Sequence, residues 1–289
     1  MNIVTACQQA TKAPVDEKTL PEQNILNVAY GKDTLQTMDI YLPAARSTAE
    51  TKSLILIHGG GWTSGSKADF FQYIDSLKKR LPEYAIFNLN YRLVNGGNLF
   101  PTQEQDVKTA VDFIAAHAED YGVNKDRFSL LGFSAGAHLA LLQAYKYASP
   151  KINAVVDYFG PTDLVAMYQK PWHPLVPLAL QMITGTSPEA NAAIFEQSSP
   201  AHFVSKQSPP TLILHGGKDV VVNVSQSKLL AERLKQLGVQ HKLHIYPGEG
   251  HGRWYGKSLT DSFDEVEDFL KTTGDQASQK LASVKNEVS

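Results

Sequence analysis

Residues 128–147 read FSLLGFSAGAHLALLQAYKY. The unbroken apolar run from Phe128 to Phe133 is short, as a strand buried on both faces of a parallel sheet would be. Ala137 to Tyr147 then predicts an amphipathic helix. Between the two lies Gly132-Phe133-Ser134-Ala135-Gly136, a G-x-S-x-G sequence in the strand-turn-helix context that the motif requires. A serine on so sharp a turn takes an unusual backbone conformation, and glycines two before and two after relieve the crowding around it. The helix that follows points its amide end at the turn and favours negative charge there. Ser134 is therefore the candidate nucleophile. The alternative is a glycine-rich turn with an incidental serine.

The same alternation of apolar run and helical period extends outward. Leu35 to Tyr41 alternates apolar and polar residues as an antiparallel edge strand does. Leu54–Ile57, Ala85–Leu89, Ala154–Tyr158, Leu212–Leu214 and Leu243–Tyr246 read as buried strands. Helical periods fall at 68–81, 103–121, 225–237 and 259–270. Strand alternating with helix predicts a doubly wound α/β fold, a mostly parallel central sheet with helices on both faces. Residues 160–210 break the rhythm, with recurrent prolines and no strand signal. A plain loop of that length is out of place in a compact domain, so a small helical cap insertion over the site is expected. Residues 1–24 read as a polar tether, 25–272 as one catalytic domain and 273–289 as a polar tail.

Composition excludes several function classes. A net charge of −2 gives no basic footprint for nucleic acid. No apolar run approaches the length of a membrane span. The single cysteine, Cys7, rules out an internal disulfide and a thiolate metal cage. Val4-Thr5-Ala6-Cys7 looks like the cleavage box of a bacterial lipoprotein, although only six residues precede the cysteine where a full signal needs an apolar stretch. Two readings stay open. One is a trimmed lipoprotein of the cell envelope with a lipid anchor at Cys7. The other is an ordinary terminal thiol on a cytoplasmic protein.

A second glycine cluster, His58-Gly59-Gly60-Gly61-Trp62, follows the strand at 54–57. Glycines let the main chain turn amides into a pocket, where each such donor stabilises a tetrahedral oxyanion by roughly 2.7–4 kcal/mol. Gly60 and Gly61 are the expected donors, with the amide of Ala135 as the third. His58 heads the turn as a structural residue, and Trp62 is expected to pack under the loop. Arg92 and Asp106 read as a structural ion pair. Phe70, Phe71 and Tyr73 read as core, with Phe71 the one placed to reach an acyl pocket. No H-E-x-x-H or comparable metal spacing occurs.

With these motifs in hand, the chain resembles the hormone-sensitive-lipase-like branch of the α/β-hydrolases, within it bacterial carboxylesterases grouped with feruloyl esterases. The resemblance covers about residues 28–270. It rests on HGGGW (58–62), NYRL (90–93), GFSAG (132–136), YFGPTDL (158–164), SSPAHFV (198–204), HGGKDVVV (215–222) and GEGHG (248–252). It implies a cofactor-free serine esterase acting on a small-molecule ester with a small acyl group. It also implies the order Ser, acid, His along the chain, which assigns Asp219 as the acid and His251 as the base. Asp163, after the preceding strand, is the rival acid. Glu249 reads as a solvated loop charge, His215 as structural, and His173 as a cap residue that could line the pocket. Two other functions stand beside the esterase: an arylformamidase-like amide hydrolase, and a non-catalytic binding member of the fold.

Overall fold

A computed structural model describes residues 20–287, with side chains through residue 273. Cys7 and most of the expected tether lie outside the described residues. The strands are β1 (Gln23–Ala29), β2 (Thr37–Leu42), β3 (Lys52–Ile57), β4 (Tyr84–Leu89), β5 (Phe128–Phe133), β6 (Ile152–Tyr158), β7 (Thr211–Gly216) and β8 (His241–Tyr246). They form one sheet in the order β1-β2-β4-β3-β5-β6-β7-β8. Pairing is antiparallel between β1, β2 and β4 and parallel from β4 to β8.

The helices are α1 (Phe71–Arg80), α2 (Thr102–Ala116), α3 (Ala118–Tyr121), α4 (Ala135–Lys146), α5 (Leu164–Gln169), α6 (Val176–Thr184), α7 (Ala192–Gln197), α8 (Ser225–Gln236) and α9 (Gly256–Glu287). Side chains of β3 show why its run is continuous rather than alternating. Ile55 and Ile57 pack into a layer with α2, α4 and α8, whereas Leu54 and Leu56 pack on the other face with α1 and α9. Both faces are covered, so every position of the strand is buried.

Four expectations change. The N-terminal boundary lies earlier than residue 25, because Leu20 accepts from the Ala45 amide and Arg46 Nη1 donates to the Pro21 carbonyl at 2.6 Å. β1 starts at Gln23 and is the true edge, which makes β2 an interior strand. The helix that opens at Gly256 runs through the expected tail boundary at 273, its buried face including Phe263, Val266, Phe269 and Leu270. Finally, α4 is not amphipathic. Every residue from Ala135 to Ala144 is buried, because the helix is enclosed by the sheet, α2 and the cap. The insertion at 160–210 does carry its own helices, α5, α6 and α7, plus a 3₁₀ turn at Pro200–Phe203.

Candidate active site

Ser134 occupies the turn between β5 and α4 with φ 54° and ψ −117°, a conformation that only surrounding contacts hold for a residue other than glycine. Its amide donates to the Tyr158 carbonyl at 2.9 Å. The flanking glycines have a concrete steric role. A Cβ on Gly132 would lie 2.3 Å from the Gly136 carbonyl oxygen, and one on Gly136 would lie 2.0 Å from that of Ile57.

The loops that carry Asp219 and His251, the candidate acid and base, follow β7 and β8, adjacent parallel strands, so both emerge at the carboxyl edge of the sheet beside Ser134. They are stitched together by Gly217 and Lys218, whose amides donate to Tyr246 and Glu249 carbonyls at 2.8 Å each. A side chain at Gly216 would meet the Glu249 carbonyl oxygen at 2.5 Å, which accounts for the glycine at the head of the Asp219 loop. His251 Nε2 lies 2.9 Å from Ser134 Oγ, and His251 Nδ1 lies 2.7 Å from Asp219 Oδ2. A carboxylate can only accept, so Nδ1–H donates to it and leaves Nε2 to accept from the serine hydroxyl.

Asp219 is further fixed by the amides of Val221 and Val222, both donating to Oδ1 at 2.8 Å. Burial alone would raise its pKa. Hydrogen bonds from His215 and His251, with the attraction of His251 and the Val222 amide, outweigh burial and hold the carboxyl well below the usual range. His215 shapes this loop from beneath, its two ring nitrogens bonded to Ser227 Oγ at 2.6 Å and the Val222 carbonyl at 2.9 Å. The rival Asp163 is spent elsewhere. It caps α5 by accepting from the Ala166 amide at 2.8 Å and faces His202 at 3.2 Å.

Gly60 and Gly61 line the same cavity as Ser134 and His251, and among the described residues neither amide has a protein acceptor. The Ala135 amide opens α4, where the first amides of a helix have no intrahelical partner. His58 is buried, stacked parallel on Tyr91 at 4.2 Å, and burial lowers its pKa to about 4. It shapes the loop and does not reach the serine. Arg92 and Asp106 form their ion pair at 2.5 Å.

The cavity is about 590 Å³ and mostly apolar, with Met167, Leu180 and Ile183 of the cap on one side and Tyr73, Phe133 and Trp254 on the other. Phe71, expected to reach the acyl pocket, is instead 52% exposed, and Tyr73 two residues on takes that place. His173 is exposed and accepts from the Leu175 amide, away from the cavity. Sequence reasoning did not single out Phe159, whose ring sits 4.8 Å from that of His251 at φ 46°. Its only local signal is a place at the end of an apolar run before Gly160-Pro161. Among the described residues no cluster of three or more His, Cys, Asp or Glu is arranged to hold a metal.

Sheet order, elbow and loop placement together define an α/β-hydrolase. The chain belongs to the BD-FAE family, whose model matches residues 38–234. It is 26% identical over 272 residues to Esterase LipC of Mycobacterium tuberculosis (strain ATCC 25618 / H37Rv), covering 86% of this chain and 67% of that protein. It is 29% identical over 230 residues to the probable carboxylic ester hydrolase LipM of the same organism, covering 74% of this chain and 52% of that protein. The chain thus spans between half and two thirds of the length of these relatives. Among solved structures, a truncated carbohydrate esterase from gut microbiota superposes with a TM-score of 0.73 at 25% identity, covering 91% of this chain and 99% of the other. Esterase B from Lactobacillus Rhamnosis (HN001) superposes with a TM-score of 0.74 at 20% identity, covering 92% and 90%, and shares the fold.

Proposed function

We propose that the chain is a serine carboxylesterase that hydrolyses small-acyl esters through an acyl-enzyme. Ser134 is the nucleophile, His251 the base and Asp219 the acid that orients it. The observation that carries this reading is the single imidazole bridging Ser134 Oγ and Asp219 Oδ2 at hydrogen-bond distance on both sides. Ser134 Oγ attacks the ester carbonyl while its proton passes to His251 Nε2. The oxyanion that forms is held by the amides of Gly60, Gly61 and Ala135. Collapse breaks the bond to the alkoxy oxygen, which leaves as the alcohol with the proton from His251. Water then gives a proton to His251 as its oxygen adds to the acyl carbonyl, and collapse breaks the bond to Ser134 Oγ, which takes the proton back from His251 as the carboxylic acid leaves. Asp219 keeps the imidazole in the required tautomer and stabilises its cationic form.

The names of the relatives, esterases and carboxylic ester hydrolases, support the reaction class. The test is a panel of aryl esters from acetyl to decanoyl, with feruloyl esters, acetylated sugars and N-formyl anilides, assayed on the pure protein and on Ser134→Ala. Ester turnover is expected, falling on the order of 10⁶-fold in the variant. Turnover of N-formyl anilides without phenyl esters would replace the esterase with an amide hydrolase. Retention of more than a few per cent of activity by Ser134→Ala would remove the nucleophile. Of the two readings of Cys7, the lipid anchor assigns residues 8–19 as the spacer that holds the enzyme off a membrane, and the terminal thiol assigns them no such role. Mass analysis of the cell-derived protein should find an acylated Cys7 at its N-terminus. An unmodified Cys7 in the soluble fraction would remove the anchor.

A further inference from the structure

The loop that carries Gly60 and Gly61 is strained beyond its glycines. Gly60, Gly61, Trp62 and Gly65 have φ of 101°, 58°, 61° and 88°, so Trp62 holds a left-handed conformation without the freedom of glycine. Much of the loop's bonding is local, with the Gly60 carbonyl accepting from the amides of Thr63 and Ser64. The Trp62 indole reaches further. It is buried, and its Nε1–H donates to His138 Nδ1 at 3.2 Å with the two rings edge to face.

His138 lies one turn after Ser134 on α4, and its own amide donates to the Ser134 carbonyl at 3.0 Å. Its other nitrogen, Nε2, donates to the Ser198 carbonyl at 2.7 Å, at the start of the segment where the cap returns to the sheet. An indole can only donate and a carbonyl can only accept, so both partners demand one tautomer, bare at Nδ1 and protonated at Nε2. Burial lowers the pKa of His138 to about 4, the Ser198 bond opposing that shift and nearby Lys146 adding to it. The ring is therefore neutral above about pH 4. One side chain joins the glycine loop, the nucleophile helix and the cap.

We propose that His138 is a positioning residue for the oxyanion loop: by fixing the Trp62 indole it holds the Gly60 and Gly61 amides in register with Ser134. This rests on the esterase reading, in which those amides bind the oxyanion. Donors that act on the transition state more than on bound substrate leave their mark in kcat rather than KM. A displacement of about 1 Å at such a site costs on the order of 10²-fold in rate.

The test uses His138→Leu, His138→Asn, Trp62→Phe and the double variant His138→Leu/Trp62→Phe on an activated aryl ester. Each rate is expressed per site labelled to completion by a fluorophosphonate, so that misfolded molecules drop out. Both His138→Leu and Trp62→Phe should lose on the order of 10²-fold in kcat with KM within about threefold of wild type. The double variant should lose no more than the worse single, because both remove the same bond. His138→Asn, whose Oδ1 can accept the indole N–H near the place of Nδ1, should recover at least about tenfold over His138→Leu. Variants with wild-type kcat per labelled site would overturn the proposal. So would a loss confined to KM, a double variant that adds the two losses, or an asparagine no better than leucine. If His138→Leu does not fold, Trp62→Phe decides alone. Failure of the wild type to label at Ser134 would sink the esterase reading itself, a separable result.

Discussion

At the scale of single residues, chemistry is concentrated on loops whose glycines are dictated by close backbone approaches. This is why much of the candidate site was legible. Gly132, Gly136 and Gly216 each stand where a Cβ would lie within 2.5 Å of a carbonyl oxygen, so their spacing around Ser134 and Asp219 is visible in the chain itself. The contact between Trp62 and His138 was not legible, because it joins residues 76 apart through a helix whose buried face no local pattern reveals. The choice between Asp219 and Asp163 rested on resemblance alone. In the structure the first faces His251 and the second caps a helix. Asp219→Asn should therefore lower kcat by up to ~10⁴-fold by favouring the wrong imidazole tautomer. Asp163→Asn should stay within about tenfold, since asparagine also caps helices. Steady-state kinetics on both variants check this, and the reverse ranking would move the acid to Asp163.

At the scale of elements, runs buried on both faces were the easiest to read and the edge was the hardest. β1 escaped notice because its pattern is broken. Leu26 is exposed, Asn27 has φ 57°, and the register with β2 shifts between Ile25 and Val28. Its bulge is held from beneath by Asp39, which accepts from the Asn27 amide at 2.8 Å and pairs with buried Lys67. The tertiary ion pair, not strand periodicity, fixes that segment. The cap was legible as an insertion, since length and prolines alone demand helices there, but the side chains that line the cavity were not.

A strand next to the elbow makes a different kind of statement. Asp157 on β6 is fully buried, accepts from the Gly160 amide at 2.7 Å through Oδ1, and leaves Oδ2 without a partner among the described residues. Burial raises its pKa to about 7 against the opposing effects of that amide and His215. An unfolded aspartate ionises near its ordinary value of 3.8, whereas the folded one keeps its proton up to about pH 7. The folded state thus binds more protons in between, and stability falls as pH rises across that window. Asp219 has the opposite sign, its contribution being lost only in acid, below the ordinary carboxylate range. Urea unfolding at pH 5 and pH 8 should show wild type losing on the order of 2 kcal/mol relative to Asp157→Asn. An equal difference at the two pH values would contradict a buried, neutral Asp157.

At the scale of the whole molecule, topology does what no segment can do alone. The order β3-β5-β6-β7-β8 aligns the carboxyl ends of parallel strands, so the glycine loop, Ser134, Asp219 and His251 converge from positions spread over nearly two hundred residues. The alternation of strand and helix foretold a parallel sheet. It carried no information on strand order, which is set by which crossovers can pack right-handed on each face. The cap closes one side of the cavity and gives it an apolar wall. The central claim is that this convergence makes Ser134 a nucleophile activated by His251. Its most direct test is exposure of the intact protein to a fluorophosphonate, followed by mass spectrometry of its peptides. The account predicts one adduct, on the peptide containing Ser134, nearly absent in His251→Ala. Labelling at another residue, or ester hydrolysis by a protein that takes no label at Ser134, would contradict it.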